Sequence, residues 1–224
     1  MIAALAAVLA LASAPPLDSQ AVLDRYAAKL LAIEPPKVLV FSYTVSQAGP
    51  HDIEQTHRIY RSGDLVRDET LTVDGQSLKQ KLTRIARYRN RYTVENLAPR
   101  LTQYAFLFQR AVKNGSSWNY QYRAMPLGAP GAFMVQSLTI DGRSFLPLQI
   151  QFRTTAASAK GKGTIGFARS GKYWVPASVT IEATVNGKPA RERIAFNAYQ
   201  FPASLPKSTF QAPKPLPAPV LPTF

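Results

Sequence analysis

The stretch YWVPASVTIEATVNGKPARERIAFNAY, Tyr173–Tyr199, decides the fold. Tyr173, Val175, Ala177, Val179, Ile181, Ala183 and Val185 fall on every second position. That is the period of a strand with one buried face. Asn186-Gly187 is a two-residue type I′ turn signal. Arg191–Tyr199 then returns with Ile194, Phe196 and Ala198 inward. The unit is a β-hairpin whose two strands share one apolar face.

Working upstream, the same grammar repeats. Thr164–Arg169 precedes Ser170-Gly171 and pairs with Tyr173–Val185. Ala156–Gly163, rich in Gly and Lys, reads as a flexible basic loop. Leu146, Leu148, Ile150 and Phe152 alternate with Gln149, Gln151 and Arg153. Phe133–Ile140 leads into an Asp141-Gly142 turn, and Met125–Gly131 is a Pro/Gly loop. Trp118, Tyr120 and Tyr122 alternate. Between Asn96 and Asn114 the period changes: Leu101, Tyr104, Ala105, Phe108, Ala111 and Val112 fit a helix. Before it come strands at Lys37–Gln47, His51–Arg61, Leu65–Val73, Leu78–Tyr88 and Arg91–Glu95. Gly49-Pro50, Ser62-Gly63-Asp64 and Asp74-Gly75 turn the chain between the first of these.

At the amino end, Asp18 or Ser19 can cap a helix to about Ile33, with Val22, Leu23, Tyr26, Ala27, Leu30 and Leu31 in one stripe. Pro35-Pro36 ends it. Residues 2–11 are apolar, and Ala12-Ser13-Ala14 is a small-x-small cleavage pattern, so residues 1–14 read as an export signal. Residues 15–211 form one domain. Residues 212–224 read as an extended tail; from Pro202 there are seven prolines in 23 residues. The expected class is α+β, mostly β. It is a single curved antiparallel sheet, a half-open β-barrel of about ten or eleven strands. An amino-terminal helix and a mid-chain helical lid cover its concave face.

Composition narrows the function. There are 27 Lys+Arg against 13 Asp+Glu, a net charge of +14. From Arg143 onward, eleven basic residues face two acids, Glu182 and Glu192. Such a chain meets anionic surfaces. The basic residues are spread along strands without any nucleic-acid-binding pattern, so nucleic acid is not an expected partner. The chain has no cysteine and two histidines. His51 and His57 lie about 20 Å apart along an extended strand, too far for one metal ion. Asp68 and Glu69 alternate across a strand, and no nucleophile elbow or phosphate loop is present. A non-enzymatic protein without cofactor or metal is expected. Arg84, Arg87, Arg89 and Arg91 are dense; the first three could hold an anionic head group, or form a solvated strand face.

Three stretches carry a resemblance. Leu205-Pro206-Lys207-Ser208-Thr209-Phe210 is similar to the "Leu-Pro-x-x-x-Phe" ending of the lipoprotein-carrier superfamily, which includes LolA, LolB and the amino-terminal domain of the anti-sigma regulator RseB. Tyr173-Trp174-Val175-Pro176-Ala177 resembles the family's "hydrophobic-Pro" lead-in to the penultimate strand. His57–Glu69 resembles an RseB-type hairpin ending in "Gly-x-x-x-Arg-x-Glu". The resemblance spans roughly residues 18–211. It implies acyl chains or peptide bound on the concave sheet under a helical lid. The implied apolar contacts are Leu39, Phe41, Tyr43, Leu101, Tyr104, Phe108, Trp118, Tyr120, Ile150, Phe152, Val179, Ile181 and Phe196. Each could equally be plain core. The expected partners are a lipid or acylated lipoprotein, an envelope membrane protein and an anionic membrane surface. The expected state is an exported, periplasmic or secreted monomer. The alternative is an envelope interaction module of RseB type.

Overall fold

The computed structural model describes residues 17–49, 52–87, 93–129, 131–156, 159–185 and 187–211. The expected leader, the tail from Ala212, His51, Arg89 and Arg91 lie outside these residues.

Helix α1 is Ser19–Leu31. Asp18 caps it, its Oδ2 accepting from Gln20 N at 3.0 Å and Ala21 N at 3.4 Å. This satisfies donors that the first turn leaves unpaired. Val22, Leu23, Tyr26 and Leu30 form its buried stripe.

Eleven strands follow: β1 (Val38–Ala48), β2 (Ile53–Ser62), β3 (Leu65–Val73), β4 (Gln76–Arg87), β5 (Tyr104–Asn114), β6 (Ser117–Pro126), β7 (Phe133–Asp141), β8 (Pro147–Ala156), β9 (Ala159–Ser170), β10 (Tyr173–Val185) and β11 (Lys188–Gln200). A four-residue helix, α2 (Val94–Leu97), lies between β4 and β5. A 3₁₀ turn at Lys207–Phe210 follows the last strand. The strands make one antiparallel sheet in the order β4-β3-β2-β1-β11-β10-β9-β8-β7-β6-β5. The chain enters at the middle of the sheet, runs to one edge, crosses to the other edge and returns. First and last strands therefore pair, and the sheet stays open between β4 and β5. Asp74 and Gly75, at φ +49° and +75°, make the β3–β4 turn, where Val73 partners Gln76. Both central residues of a type I′ turn need positive φ, which Asp-Gly supplies.

Register partners share a face, and one row crosses all eleven strands. It runs Phe108–Tyr122–Leu138–Ile150–Ile165–Val179–Ile194–Val45–Gln55–Val73–Gln76. The face carrying this row is the inner face, because α1 lies on it: Val22, Tyr26 and Leu30 belong to the same buried core as Tyr122, Leu138, Ile150 and Ile165. Tyr122, Leu138 and Ile150 are fully buried. The core therefore lies beneath α1 over β6–β10, off the centre of the sheet. Two buried hydroxyls hold the helix there. Tyr26 OH donates to Pro99 O at 2.6 Å, and Tyr122 OH donates to Ser19 O at 2.8 Å.

The opposite, outer face is covered by the carboxy-terminal segment at β3. Arg67 Nη1 donates to Thr209 O at 2.9 Å, while Arg67 Nη2 sits 2.6 Å from Glu69 Oε1. The arginine and glutamate of the "Gly-x-x-x-Arg-x-Glu" stretch thus dock the "Leu-Pro-x-x-x-Phe" ending.

Several expectations are corrected. Leu101–Val112 is not a helical lid: Tyr104–Asn114 is the edge strand β5, and the second helix is the short α2 before it. A bulge between Phe108 and Arg110 explains the misreading. It puts Tyr104, Phe106 and Phe108, then Ala111, on the inner face, and that spacing imitates a helix. The strand expected at Arg91–Glu95 is not formed at Val94–Glu95, which begin α2. The basic loop at Ala156–Gly163 is the β8–β9 hairpin, with β9 running from Ala159. In β10 a bulge between Pro176 and Ser178 reverses the parity. Trp174 and Pro176, not Tyr173, Val175 and Ala177, share the face of Val179 and Ile181. Ala198 is not inward but exposed, at φ +52°.

Candidate functional site

The inner face is wider than its cover. Eleven strands at about 4.8 Å spacing span roughly 48 Å. Helix α1 is thirteen residues long, which is about 20 Å in length and 10 Å in diameter. It covers β6–β10 and leaves the inner face of β11, β1 and β2 without a helix among the described residues.

On that face Leu39 and Ile59 are buried all the same; the residues beside them form an aromatic strip. Phe41 and Tyr43 on β1, and Phe196 and Tyr199 on β11, are half-buried. Phe41 lies 5.2 Å from Tyr199, 6.1 Å from Phe196 and 6.3 Å from Tyr43 between ring centroids. Tyr43 and Phe196 are 6.0 Å apart. These are favourable aromatic separations. Ile181, Ile194 and Phe196 pack on the core from its margin, so the strip continues the core outward. Tyr199 OH donates to Pro176 O at 2.9 Å, and burial raises its pKa above the ordinary tyrosine value.

Toward β3 the strip ends in a polar group. Tyr43 stacks on His57 with centroids 4.7 Å apart and planes 2° from parallel. His57 Nδ1 lies 2.9 Å from Asp68 Oδ1, and Tyr43 OH lies 3.5 Å from Asp68 Oδ2. His57 Nε2 faces Gln55 Oε1 at 3.3 Å. Thr70 Oγ1 approaches Nδ1 at 3.5 Å, the nitrogen Asp68 already occupies, so this hydroxyl does not extend the pair into a nucleophile–base–carboxylate triad, in which carboxylate and nucleophile sit on opposite ring nitrogens. Among the described residues, no three His, Cys, Asp or Glu side chains cluster to hold a metal ion.

The residues expected at the site divide into two sets. Leu39, Tyr120, Ile150, Phe152 and Val179 are buried core. Phe41, Tyr43, Leu101, Tyr104, Trp118, Ile181 and Phe196 are half-buried, and Phe108 is exposed on the edge strand. Arg84 and Arg87 are not brought together. Arg84 partners Asp68 on the inner face. Arg87 has the other parity and binds Asp64 at 3.0 Å. Sequence reasoning missed Tyr199 and the His57–Asp68 pair. Tyr199 reaches the inner face only because the bulge at Ala198 restores its parity, and no residue type announces that. The alternation of Tyr43 and His57 was visible, but not that they pair.

Two open cavities lie at the end of the sheet where β6 turns to β7 and β10 to β11. One, of about 930 Å³, is lined by residues of β8–β11, including Arg153, Lys162, Ala183 and Ala190. The other, of about 600 Å³, lies between α2 and the β6–β7 loop. Tyr104 alone of the expected site residues lines either one.

Comparison with known proteins finds no matching family model and no matching curated protein. Among solved structures, the chain is similar to a LolA superfamily protein, NE2245, from Nitrosomonas europaea. The identity is 12% and the TM-score 0.42, over 88% of this chain and 98% of that one. It is also similar to a putative outer membrane lipoprotein-sorting protein domain from Vibrio parahaemolyticus, at 14% identity and a TM-score of 0.46, over 86% and 97%. A third is a DUF1329 family protein from Desulfovibrio piger, at 10% identity and a TM-score of 0.47, over 86% and 96%. Among the described residues, no helix is long and apolar enough to cross a membrane.

Proposed function

We propose that this chain is an envelope binding protein that holds the acyl chain of a lipid or an acylated protein on the inner face of its sheet. The observation that carries this reading is the uncovered aromatic strip. Phe41, Tyr43, Phe196 and Tyr199 extend the core past the reach of α1, so an apolar surface stays available on an otherwise folded domain. A chain laid along it would touch rings and aliphatic side chains, and its polar end would meet His57 and Asp68.

The magnitudes suit reversible holding. Twelve buried methylenes contribute roughly 10 kcal/mol. Association costs at least about 4 kcal/mol in lost freedom. The remainder, about 6 kcal/mol, corresponds to a Kd on the order of tens of micromolar for one chain. A second chain would tighten it strongly. This suits a carrier or sensor that must also release. The roles of export, lipid transport and a membrane partner belong to the same proposal.

The test is titration with a fluorescent fatty acid. The wild type should saturate with a Kd on the order of tens of micromolar. Phe41→Asp should abolish the signal, or folding itself if Phe41 is only core. Unchanged stability together with unchanged binding would refute the reading.

A further inference from the structure

Two neighbouring features at one end of the sheet have no part in the proposed ligand site. The first is the β6–β7 loop. No charged residue stands between Arg123 and Asp141. Leu127 on the loop and Met125 at the end of β6 are 62% and 43% exposed, while Phe133 at the start of β7 turns the other way and stacks on Phe152 with centroids 4.7 Å apart. Two exposed large apolar side chains at one strand end are a surface that water disfavours.

The second is a basic rim beside that loop. Met134 partners Arg153, Arg153 partners Lys162, Lys162 partners Glu182, and Glu182 partners Arg191. These side chains therefore stand in one row at the strand spacing. Residues 153–162 and 182–193 carry six cations, Arg153, Lys160, Lys162, Lys188, Arg191 and Arg193, against Glu182 and Glu192, a net of +4. All six cations are exposed. Glu182 bridges Lys162 at 3.3 Å and Arg191 at 2.8 Å, and its pKa is lowered, first by the hydrogen bond from Arg191. The pair of cations it spans is thereby held in place. Arg153 and Lys160 line the larger cavity beside it.

We infer that this end of the sheet docks on an anionic lipid bilayer. The β6–β7 loop would enter the headgroup boundary with Leu127 foremost. The β8–β9 and β10–β11 hairpins would lie on the anionic headgroups. Uncharged apolar tips beside a cationic rim complement a bilayer surface, which offers both a hydrocarbon layer and negative charge. A soluble polyanion offers only the second, so it would leave Leu127 unused. This docking does not depend on what the inner face binds.

Vesicle flotation of the full chain tests it. Vesicles of phosphatidylcholine with 30% phosphatidylglycerol, a composition of roughly the anionic content such surfaces need, are compared with phosphatidylcholine alone. Binding should be on the order of 10-fold stronger to the anionic vesicles and weaken with salt. Leu127→Asp and, as a second variant, Met125→Asp should each lower binding on the order of 10-fold. Arg153→Glu with Lys160→Glu should lower it by at least as much. Leu31→Ser, which removes an exposed leucine from the end of α1, should bind like the wild type. Circular dichroism checks that each variant is folded. No binding to anionic vesicles would overturn the inference. So would binding by both folded loop variants equal to the wild type, because the rim would then be holding anions by charge alone.

Discussion

The ring of Phe152 lies across the sheet onto Gly163, its register partner, in the space where a β-carbon would stand. Thr180 O closes the same space from the other side, 2.5 Å from that position. A glycine inside β9 weakens a strand in general, yet here it admits an aromatic ring to the core. Gly163→Ala should therefore destabilise by about 2 kcal/mol through overpacking, which lowers Tm by roughly 4–8 °C for a domain of this size. Thermal unfolding checks this, and a Tm equal to the wild type would show that the ring moves aside freely.

Tyr26 joins α1 to the crossing between the sheet edges through its 2.6 Å hydrogen bond to Pro99 O. Tyr26→Phe leaves that carbonyl without its donor and should cost about 1–2 kcal/mol at neutral pH. Urea unfolding measures it directly.

Alkali should act through the same residue. Burial raises the pKa values of Tyr26, Tyr122 and Tyr199 above the ordinary value. Above pH 10 the unfolded tyrosines lose protons while the folded ones keep them, so the unfolded state gains. Stability should be level up to about pH 10 and then fall by up to about 1.4 kcal/mol per pH unit for each such tyrosine. Tyr26→Phe should make that fall shallower. A wild-type curve flat to pH 12 would contradict the burial of these hydroxyls.

Glu69 is buried on the outer face, 2.6 Å from Arg67 and 3.4 Å from Lys81. Arg67→Ala removes the closer cation and the donor to Thr209 O at once. The expected loss is about 2 kcal/mol, held below a full buried-pair penalty because Lys81 remains. The segment through Gln211 should also become open to proteolysis in the variant and stay protected in the wild type. Limited proteolysis with mass mapping reads that difference.

Much of this fold is legible in the sequence because hairpins are local. The alternation of Ile194 and Phe196, the hairpin that sets Val185 opposite Lys188 and the Asp74-Gly75 turn each constrain only a few neighbouring residues. What the sequence hides is set by bulges and by distance. One extra residue after Phe108 made a strand look helical, and others reassigned the faces of Trp174 and Tyr199. Gly161 and Gly163 read as loop because nothing local shows that Phe152 and Ala183 need their missing side chains. The β1–β11 pairing joins residues far apart in the chain, so Phe41 and Tyr199 could not be seen as neighbours. Phe41, Tyr43 and Phe196 were expected on the site. The separation of Arg84 from Arg87 follows from strand parity, which a count of arginines overlooks.

Native mass spectrometry of the protein purified from the cells that make it, followed by solvent extraction, shows whether the inner face carries a ligand. The expected result is an added mass that extracts as a lipid or lipopeptide and is lost from the Phe41→Asp variant. A bare protein mass, unchanged after incubation with lipids and lipopeptides, would contradict it and shift the inner face to the role of a protein-binding surface.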